Sequence, residues 1–199
     1  MLHIQLVPFP QLRTARFILR ELQEADAPAL LQQRSDARIM QYLDREPDNS
    51  VAQTLDLIER IKQSATDKVG ITWGIVRPDA AHELLGTIGL WRIIAEHHRA
   101  EIGYGLHPDY WQQGIMSEAM VAVLDFGFQK LKLHSVEANV NPKNAASRQL
   151  LEKHGFVQEA HFRENYFFQG RFLDSIIYSV LTPAATKAKR TGQVAATKL

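Results

Sequence analysis

The segment that most constrains the fold of this chain runs from Trp111 to Ala119 and reads Trp-Gln-Gln-Gly-Ile-Met-Ser-Glu-Ala. A strand pattern at 100–106 precedes it, and apolar residues at helical spacing follow over 116–131. The first turn of a helix leaves N–H groups without partners and carries the positive end of the helix dipole. Such a turn binds phosphate oxygens, and Gly114 lets them approach closely. The segment therefore predicts an anion site formed by backbone amides.

The predicted anion site does not match the common phosphate-binding motifs. The chain contains no G-x-x-x-x-G-K-[ST] sequence. The pair Gly103 and Gly105 lies inside the predicted strand and is followed by Leu-His-Pro, so it is not a dinucleotide loop. We therefore expect a different ligand that contains a diphosphate.

Hydrophobic periodicity predicts a mixed α/β sheet. The predicted helices cover 24–34, 50–66, 116–130 and 144–154. The predicted strands cover 13–23, 70–76, 84–94, 99–106, 134–140, 157–168 and 171–181, and the last two form a hairpin that turns at Gln169-Gly170. Trp73 and Trp91 are predicted to belong to the core or to the sheet surface.

Composition predicts one globular domain, which we expect to span 1–181. The chain has 199 residues, 45% of them hydrophobic, which suffices for one sizeable core. A net charge of +1 gives no reason to expect a nucleic-acid partner. The absence of cysteine excludes disulfides, thiolate metal sites and covalent intermediates on a thiol. No apolar run reaches membrane-spanning length and no secretion signal is visible, so we expect a cytoplasmic protein without membrane contact.

Four motifs in order carry a resemblance to a known family. They are Glu101-Ile-Gly-Tyr-Gly-Leu-His-Pro108, Trp111 to Ala119, Asn141-Pro-Lys-Asn-Ala-Ala-Ser147 and Glu152-Lys-His-Gly-Phe156. The chain resembles the GNAT superfamily of N-acetyltransferases, in particular its branch of ribosomal-protein N-terminal acetyltransferases, the RimJ/RimL-like enzymes. Weaker similarity extends over most of the chain, from Leu12 to about Thr182.

The resemblance implies an α/β GNAT fold, with a mixed, mostly antiparallel, seven-stranded sheet, about four flanking helices and a splayed central pair of parallel strands. It implies direct transfer of an acetyl group from acetyl-CoA to a primary amine, either a protein N-terminal α-amine or a small-molecule amine. No metal is implied, and a homodimer is plausible for this branch. The cofactor-binding residues that it implies are Leu106, Gln112, Gln113, Gly114, Ile115, Met116, Ser117, Asn144 and Ser147.

The predicted diphosphate loop departs from the family pattern at both ends. Its first position, often Arg or Gln in the family, is Trp111, a residue familiar in this branch. Its last position, often Gly or Ala, is Met116. We expect the Met116 side chain to turn into the core and to leave its amide exposed.

Acetyl transfer to an amine requires a neutral amine, a stabilised oxyanion and protonation of the departing thiolate. For the first requirement the resemblance favours Glu101, as a base or as a group that positions water. Glu101 could equally anchor a loop or pair with an arginine. Glu164 and Tyr166, on the predicted hairpin, are weaker alternatives.

The resemblance implies that Ser147 protonates or solvates the thiolate, because the following helix lacks the tyrosine that many family members place there. Ser147 could instead be a small residue of the first helical turn. Asn144 is predicted to contact the pantetheine, with helix capping as the alternative. Asn141 is predicted to have a capping or loop role. A main-chain N–H between Tyr104 and Leu106 is the expected oxyanion donor, and the Tyr104 side chain is expected in the core.

Other chemistries have little support in the sequence. His97-His98 lies in a predicted turn with no third ligand at a recognisable spacing, so no metal site is predicted. Ser147 and His154 are seven residues apart on one helix, too far for a nucleophile–base hydrogen bond. The loop 41–50 has three acids and one base. It could attract a cationic amine, but a merely solvated loop is favoured.

Two functions from other classes stay open. The chain could be an acyl-CoA-binding regulatory module without turnover. It could also be a structural or ribosome-associated protein that uses its last residues, since 182–199 carry four basic groups and no acid. A solvated, disordered tail is the favoured interpretation of that segment.

Overall fold

A single eight-stranded sheet organises the computed structural model, which describes residue 2 and residues 4–183. The strands lie in the order β1-β2-β3-β4-β5-β6-β8-β7, and every neighbouring pair is antiparallel except β5 and β6, which are parallel. The strands are β1 Leu12–Arg13, β2 Ile18–Glu21, β3 Ile71–Val76, β4 Gly86–Ile94, β5 Arg99–Leu106, β6 Ser135–Val140, β7 Val157–Phe168 and β8 Arg171–Leu181. The predicted mixed, mostly antiparallel sheet is confirmed.

The sheet has eight strands where seven were predicted. The segment predicted as one strand from Arg13 is interrupted by a turn in which the Thr14 hydroxyl and amide both bond to Phe17. The chain therefore folds back, and β1 pairs with β2. A two-residue strand is too short to produce an alternating pattern that sequence reading would separate from its neighbour.

Five α-helices flank the sheet, one more than expected. They are α1 Ala27–Ser35, α2 Ala37–Met40, α3 Val51–Thr66, α4 Ile115–Asp125 and α5 Ala145–Lys153, with a π-helical turn continuing α4 over Phe126–Lys130. The additional helix is α2, a single turn that Asp36 caps by accepting a bond from the Arg38 amide. Such a short helix has no detectable period. The start of the predicted first helix is a 3₁₀ turn at Glu24–Asp26.

The two faces of the sheet are covered to different extents. On one face, α4 buries Ile115, Met116 and Met120 in the main core, together with apolar residues from six strands and Leu151 of α5. On the other face, a smaller cluster from α1, α3 and their neighbouring loops covers β2 and β3. Its members are Leu22, Ala27, Leu30, Ile58 and Leu84. That second face is therefore the more open one toward β4 and β5.

The parallel strands β5 and β6 pair only at their beginnings. The paired positions are Arg99 with Ser135, Ala100 with Val136 and Glu101 with Glu137. Beyond Glu101, β5 continues beside β4 and β6 continues beside β8, but the two no longer pair with each other. The sheet therefore opens into a V at its centre, as predicted.

Trp91 lies across the open face of the sheet. A Cβ added to Gly103 would come within 2.5–2.9 Å of three atoms of its ring, so the indole packs directly on that glycine. The indole N–H donates to Thr72 Oγ1 at 3.1 Å, and 46% of Trp91 remains exposed. Trp91 therefore belongs to the sheet surface, while Trp73 is fully buried.

The described residues contain no helix that is both long and apolar enough to cross a bilayer. Of the predicted tail 182–199, only Thr182 and Pro183 are among the described residues. The Thr182 amide still donates to the His134 carbonyl at 2.8 Å, so the sheet contacts extend slightly beyond the predicted domain end. The remainder of the predicted tail lies outside the described residues.

Gly103→Ala should destabilise the protein by roughly 1–3 kcal/mol, because the new methyl group would lift the Trp91 indole off the sheet. Gly105→Ala is the matched control, since a Cβ there would meet no atom within 4 Å among residues 4–183. The control should be neutral or stabilising by up to about 1 kcal/mol. Urea denaturation of both variants measures the difference, and equal stabilities would contradict the packing of Trp91 on Gly103.

Candidate active site

The predicted anion site lies at the N-terminus of α4, beside the opening of the V. Gly114 precedes the helix with φ +74°, a left-handed conformation that suits glycine, and Gln112 also has a positive φ of +60°. Within the described part of the chain, the amides of 112–117 have no protein acceptor. The side chains of Ile115 and Met116 are buried in the core. This row of free N–H groups fits a diphosphate, and the expected inward turn of Met116 is confirmed.

Arg16, from the turn between β1 and β2, holds this loop in place. Its Nε atom donates to the Glu118 carboxylate at 2.7 Å, and its backbone amide donates to the other carboxylate oxygen at 2.8 Å. Its Nη1 atom donates to the Gln113 carbonyl at 3.2 Å. Burial raises the pKa of the Glu118 carboxyl, but bonds from Thr14 and Arg16 outweigh burial and the pKa lies below its ordinary value. Glu118 is thus a charged anchor for Arg16.

The residues before Gly114 are fixed by bonds back to the strand end. The Trp111 indole donates to the Leu106 carbonyl at 2.8 Å. The Gln113 side chain donates to the Asp109 carbonyl at 3.0 Å. Only the backbone N–H of Gln113 is therefore free for a ligand. The Tyr110 hydroxyl bonds to Glu83, which also pairs with Arg77. The loop is therefore held in shape by the protein itself.

The inner edge of β5 presents backbone groups to the opening. The His107 N–H donates to the Leu85 carbonyl. This bond lies one position beyond the Gly86–Leu106 pair and continues the register of β4 and β5. Because hydrogen bonding alternates along an antiparallel pair, the amides of Tyr104 and Leu106 point away from β4. Beyond Glu101 no β6 residue pairs with them. Two N–H groups of β5 are therefore directed into the V.

The side chains of Tyr104 and Ser147 meet at the opening. Tyr104 extends from β5, Ser147 lies in the first turns of α5, and their hydroxyl oxygens are 2.8 Å apart. Burial raises the pKa of Tyr104 to about 12, although the bond to Ser147 acts in the opposite direction. The phenol therefore keeps its proton at neutral and mildly alkaline pH. Tyr104 packs against the core, as predicted, but its hydroxyl also belongs to the site.

Asn144 is the N-cap of α5. Its Oδ1 atom accepts a hydrogen bond from the Ser147 backbone N–H at 3.1 Å. The side-chain oxygen therefore caps the helix, which was the alternative role predicted for Asn144. A contact between Asn144 and the pantetheine stays a prediction. Asn141 accepts the Lys143 amide at 3.0 Å, which confirms its expected role in the loop.

Ser117 connects the anion site to the end of α5. Its hydroxyl lies 2.8 Å from Nε2 of His154, the residue that ends α5. Burial, and secondarily the charge of Lys153, lowers the pKa of His154. The neutral imidazole can donate to or accept from the hydroxyl, and the contact ties the first turn of α4 to α5.

Glu101 pairs with an arginine, which was one of its two predicted roles. Arg92 Nη1 donates to Glu101 Oε2 at 2.8 Å, and the arginine is highly exposed while the carboxylate is 22% exposed. Glu101 lies opposite Trp91 in the β4–β5 register, at the last paired position of the V. Its carboxylate is thus at the base of the opening, on the face that carries the Trp91 indole.

The hairpin of β7 and β8 reaches the loop 41–50. The Tyr166 hydroxyl donates to the Asp44 carbonyl at 3.1 Å, and the Gln169 amide donates to Glu46 at 2.9 Å. Burial raises the pKa of Asp44. The loop is therefore packed against the hairpin and is not merely solvated. Together they form a wall beside the open face.

Asp48, the third acid of this loop, has a structural role. Its carboxylate accepts bonds from Arg34 at 2.6 Å and from Arg45 at 3.0 Å. Its charge is therefore compensated within the loop. Only Asp44 and Glu46 remain as acids that could attract a cationic ligand.

Glu164, an alternative base, donates its backbone amide to Asp174 at 2.9 Å. The Tyr166 side chain is held by its bond to the loop. In the described part of the chain, no group of three or more His, Cys, Asp or Glu side chains could hold a metal ion.

Comparisons with known proteins agree with this geometry. The family model described as "Acetyltransferase (GNAT) domain" matches residues 16–157. An N-acetyltransferase of Bacillus subtilis, YoaA, which is named as uncharacterized, is 37% identical over 175 residues, or 88% of this chain and 98% of the relative. The chain belongs to the GNAT acetyltransferase family. It is an acetyl-CoA-dependent acetyltransferase, as the resemblance implied.

One further relative of this acetyltransferase and one solved structure of the same fold have named acceptors. The spermidine N(1)-acetyltransferase of Vibrio cholerae is 28% identical, covering 80% of this chain and 90% of the relative. The structure of RimL, the ribosomal L7/L12 α-N-protein acetyltransferase, in complex with coenzyme A superposes with a TM-score of 0.79. The superposition covers 88% of this chain and 99% of RimL at 21% sequence identity. This similarity supports the GNAT fold.

Sequence reasoning did not identify Arg16, His154 or the hydroxyl of Tyr104 as members of this acetyltransferase site. Side chains alternate between the two faces of β5, so Tyr104 lies on the same face as Leu106, a predicted cofactor-binding residue. This alternation could have indicated that the Tyr104 side chain lies near the cofactor. For Arg16, whose partner Glu118 is 102 residues away, no local pattern signals the contact.

Arg16→Ala should raise the KM for acetyl-CoA roughly fivefold with little change in kcat, because loss of the partly exposed Arg16–Glu118 pair costs the loop on the order of 1 kcal/mol. Arg13→Ala is the matched control, since it removes the same charge from an exposed position nearby. Steady-state kinetics with varied acetyl-CoA measures the effect. Equal KM values for the two variants would show that Arg16 does not hold the loop.

Proposed function

We propose that this acetyltransferase moves the acetyl group directly from acetyl-CoA to a primary amine, within a ternary complex. The observation that carries the proposal is the Tyr104–Ser147 hydroxyl pair at the opening between β5 and β6, beside the free amides at the start of α4. The described residues hold no cysteine, and no acyl-enzyme intermediate is needed for this arrangement.

Acetyl-CoA binding involves the two backbone surfaces beside the opening. The amides of Gln112, Gln113, Gly114, Ile115, Met116 and Ser117 hold the diphosphate through the helix dipole and direct N–H donation. The amide of Leu106 and the side-chain amide of Asn144 bind the pantetheine. The free inner edge of β5 supports this placement, because an extended ligand can bond to an unpaired strand edge.

The hydroxyl pair acts on the departing sulfur. Ser147 donates a hydrogen bond or a proton to the thiolate, and Tyr104 supports Ser147 from the buried side. The raised pKa of Tyr104, about 12, supports this role because the phenol keeps its proton while the amine is neutral. A two-hydroxyl relay therefore takes the place of the tyrosine that α5 lacks.

The opening separates the incoming and departing groups. Tyr104 and Leu106 share the face of β5 that packs on α4 and α5, whereas Glu101 shares the face with Trp91. The thiolate is accommodated on the first face, and the amine enters from the second. The inward N–H group of Tyr104 lies between them and stabilises the oxyanion, while that of Leu106 binds the pantetheine.

Glu101 receives the amine. An alkylamine has a pKa near 10 and is therefore mostly charged at neutral pH. The carboxylate attracts the ammonium group and takes its proton directly or through water, while Arg92 fixes the carboxylate orientation. An α-amino group, with a pKa near 8, would need this help less.

The acceptor is a primary amine on a small molecule or at a protein N-terminus. The named relatives include one enzyme for spermidine and one for a ribosomal protein, which supports both classes. A cytoplasmic location and a homodimer stay part of the proposal. Exposed apolar side chains of the edge hairpin, Phe162, Phe167 and Phe172, support self-association.

Ser147→Ala should lower kcat by roughly 100-fold, the scale of general acid catalysis, without changing the affinity for CoA. Tyr104→Phe should lower kcat less, and the double variant should lose no more than Ser147→Ala, because the hydroxyls act as one relay. Stopped-flow detection of the free thiol and a CoA titration measure the two quantities. Additive losses in the double variant would contradict the relay.

Glu101→Gln should lower kcat/KM for an alkylamine by on the order of 100-fold at pH 7. The loss should shrink as the pH approaches 10, because the amine then loses its proton without help. Arg92→Ala, which removes the positioning partner and keeps the carboxylate, is the comparison variant and should lose much less activity than Glu101→Gln. If Glu101→Gln kept full activity at all pH values, Glu101 would have only a structural role.

A further inference from the structure

On β4 and β5 the open face of the sheet carries three glycines, and packing explains two of them. A Cβ at Gly103 would collide with the Trp91 ring, and a Cβ at Gly89 would lie 2.6 Å from Thr72 Oγ1 and from the Ile71 carbonyl. Both positions therefore require glycine because neighbouring atoms fill the space of a side chain.

Gly105 has no such explanation. A Cβ there would meet no atom of the described residues within 4 Å, and the φ of Gly105 lies outside the left-handed range that favours glycine. Glycine weakens the interior of a strand, and in a strand it often marks a place where a ligand approaches closely. Neither backbone conformation nor packing requires glycine at position 105.

The empty space above Gly105 lies next to the opening. Gly105 is two residues along β5 from Gly103, which the Trp91 indole covers, and it faces Thr87 across the β4–β5 pair. On β3 the same row continues to Gly74, where a Cβ would touch Leu22 and Leu84 of the α1–α3 cluster. The α1–α3 cluster therefore covers this face of the sheet at β3 but does not extend to β5. We call the open space the Gly105 slot.

The borders of the Gly105 slot differ in chemistry. One border is the Trp91 indole, which is 46% exposed although one of its faces packs on Gly103. The Glu101 carboxylate lies on the same face of β5. An exposed aromatic face and a nearby carboxylate together suit an ammonium group attached to a broad apolar body.

We propose that Gly105 and Trp91 determine acceptor specificity, by admitting a primary amine with a wide apolar substituent. The substituent lies in the Gly105 slot against the indole, and its amino group reaches the opening beside Glu101. This inference rests on the proposed amine acetylation and adds the shape of the acceptor to it.

Bisubstrate conjugates test the slot without requiring turnover. In each probe the CoA sulfur is joined through an acetyl bridge to tryptamine, to spermidine or to n-propylamine. Dissociation constants are measured by calorimetry for the wild type, Gly105→Ala, Gly105→Leu and Trp91→Ala, with CoA alone as the reference ligand. Gly105→Ala controls for the loss of glycine, since its methyl group fills little of the slot.

Gly105→Leu should weaken the tryptamine conjugate at least tenfold and the propylamine conjugate less than threefold, with unchanged CoA binding. Trp91→Ala should weaken the tryptamine conjugate most. Equal weakening of all three conjugates, or no weakening, would overturn the proposal, and so would a wild type that binds no conjugate better than CoA. Failure of the proposed function has a different signature, in which the wild type binds the conjugates but acetylates none of the three amines.

Discussion

The divergence of β5 from β6 after Glu101 and Glu137 is the constraint on which the site depends. While the strands are paired, their backbone groups satisfy each other, and beyond that point the inner edge of β5 needs another partner. A strand edge left open in the middle of a sheet is otherwise a liability. Here an extended ligand can fill it, and each strand is still stabilised from its outer side by β4 or β8.

The elements around the V supply what the backbone edge lacks. The start of α4 contributes donors that have no acceptor in the described part of the protein, and Arg16 fixes their loop from a distant turn. Hydroxyls meet on one side of the opening, and a carboxylate with an exposed indole lies on the other. On the proposed mechanism, the same sheet separates the environment of a leaving thiolate from that of an entering amine.

The parts of the site that depend on local sequence could be predicted. The glycine before a helical period predicted the start of α4 with its free amides, and the alternation of apolar residues predicted β5 with Glu101 and Leu106. Met116 could be assigned to the core because it begins the apolar stripe of α4. For these residues, burial and position in a strand or helix are determined by neighbours within one or two helical turns.

Contacts between distant segments could not be predicted in this way. Tyr104 and Ser147 are 43 residues apart, and only the path of α5 over the opening brings their hydroxyls together. The return of the chain between β1 and β2 escaped prediction because a two-residue strand has no period. The empty space at Gly105 likewise exists because the α1–α3 cluster does not cover that part of the sheet. No local sequence pattern indicates where this cover ends.

The measurement that tests the account most directly is an amide NMR titration of the labelled protein with CoA. The account predicts the largest shift changes at the amides of 112–117 and at Tyr104 and Leu106, with protection of these amides from solvent exchange. Smaller changes should follow at Ser147, and α3 should stay unaffected. Binding that perturbs other surfaces and leaves these amides unchanged would contradict the assignment of the V and the start of α4 as the cofactor site.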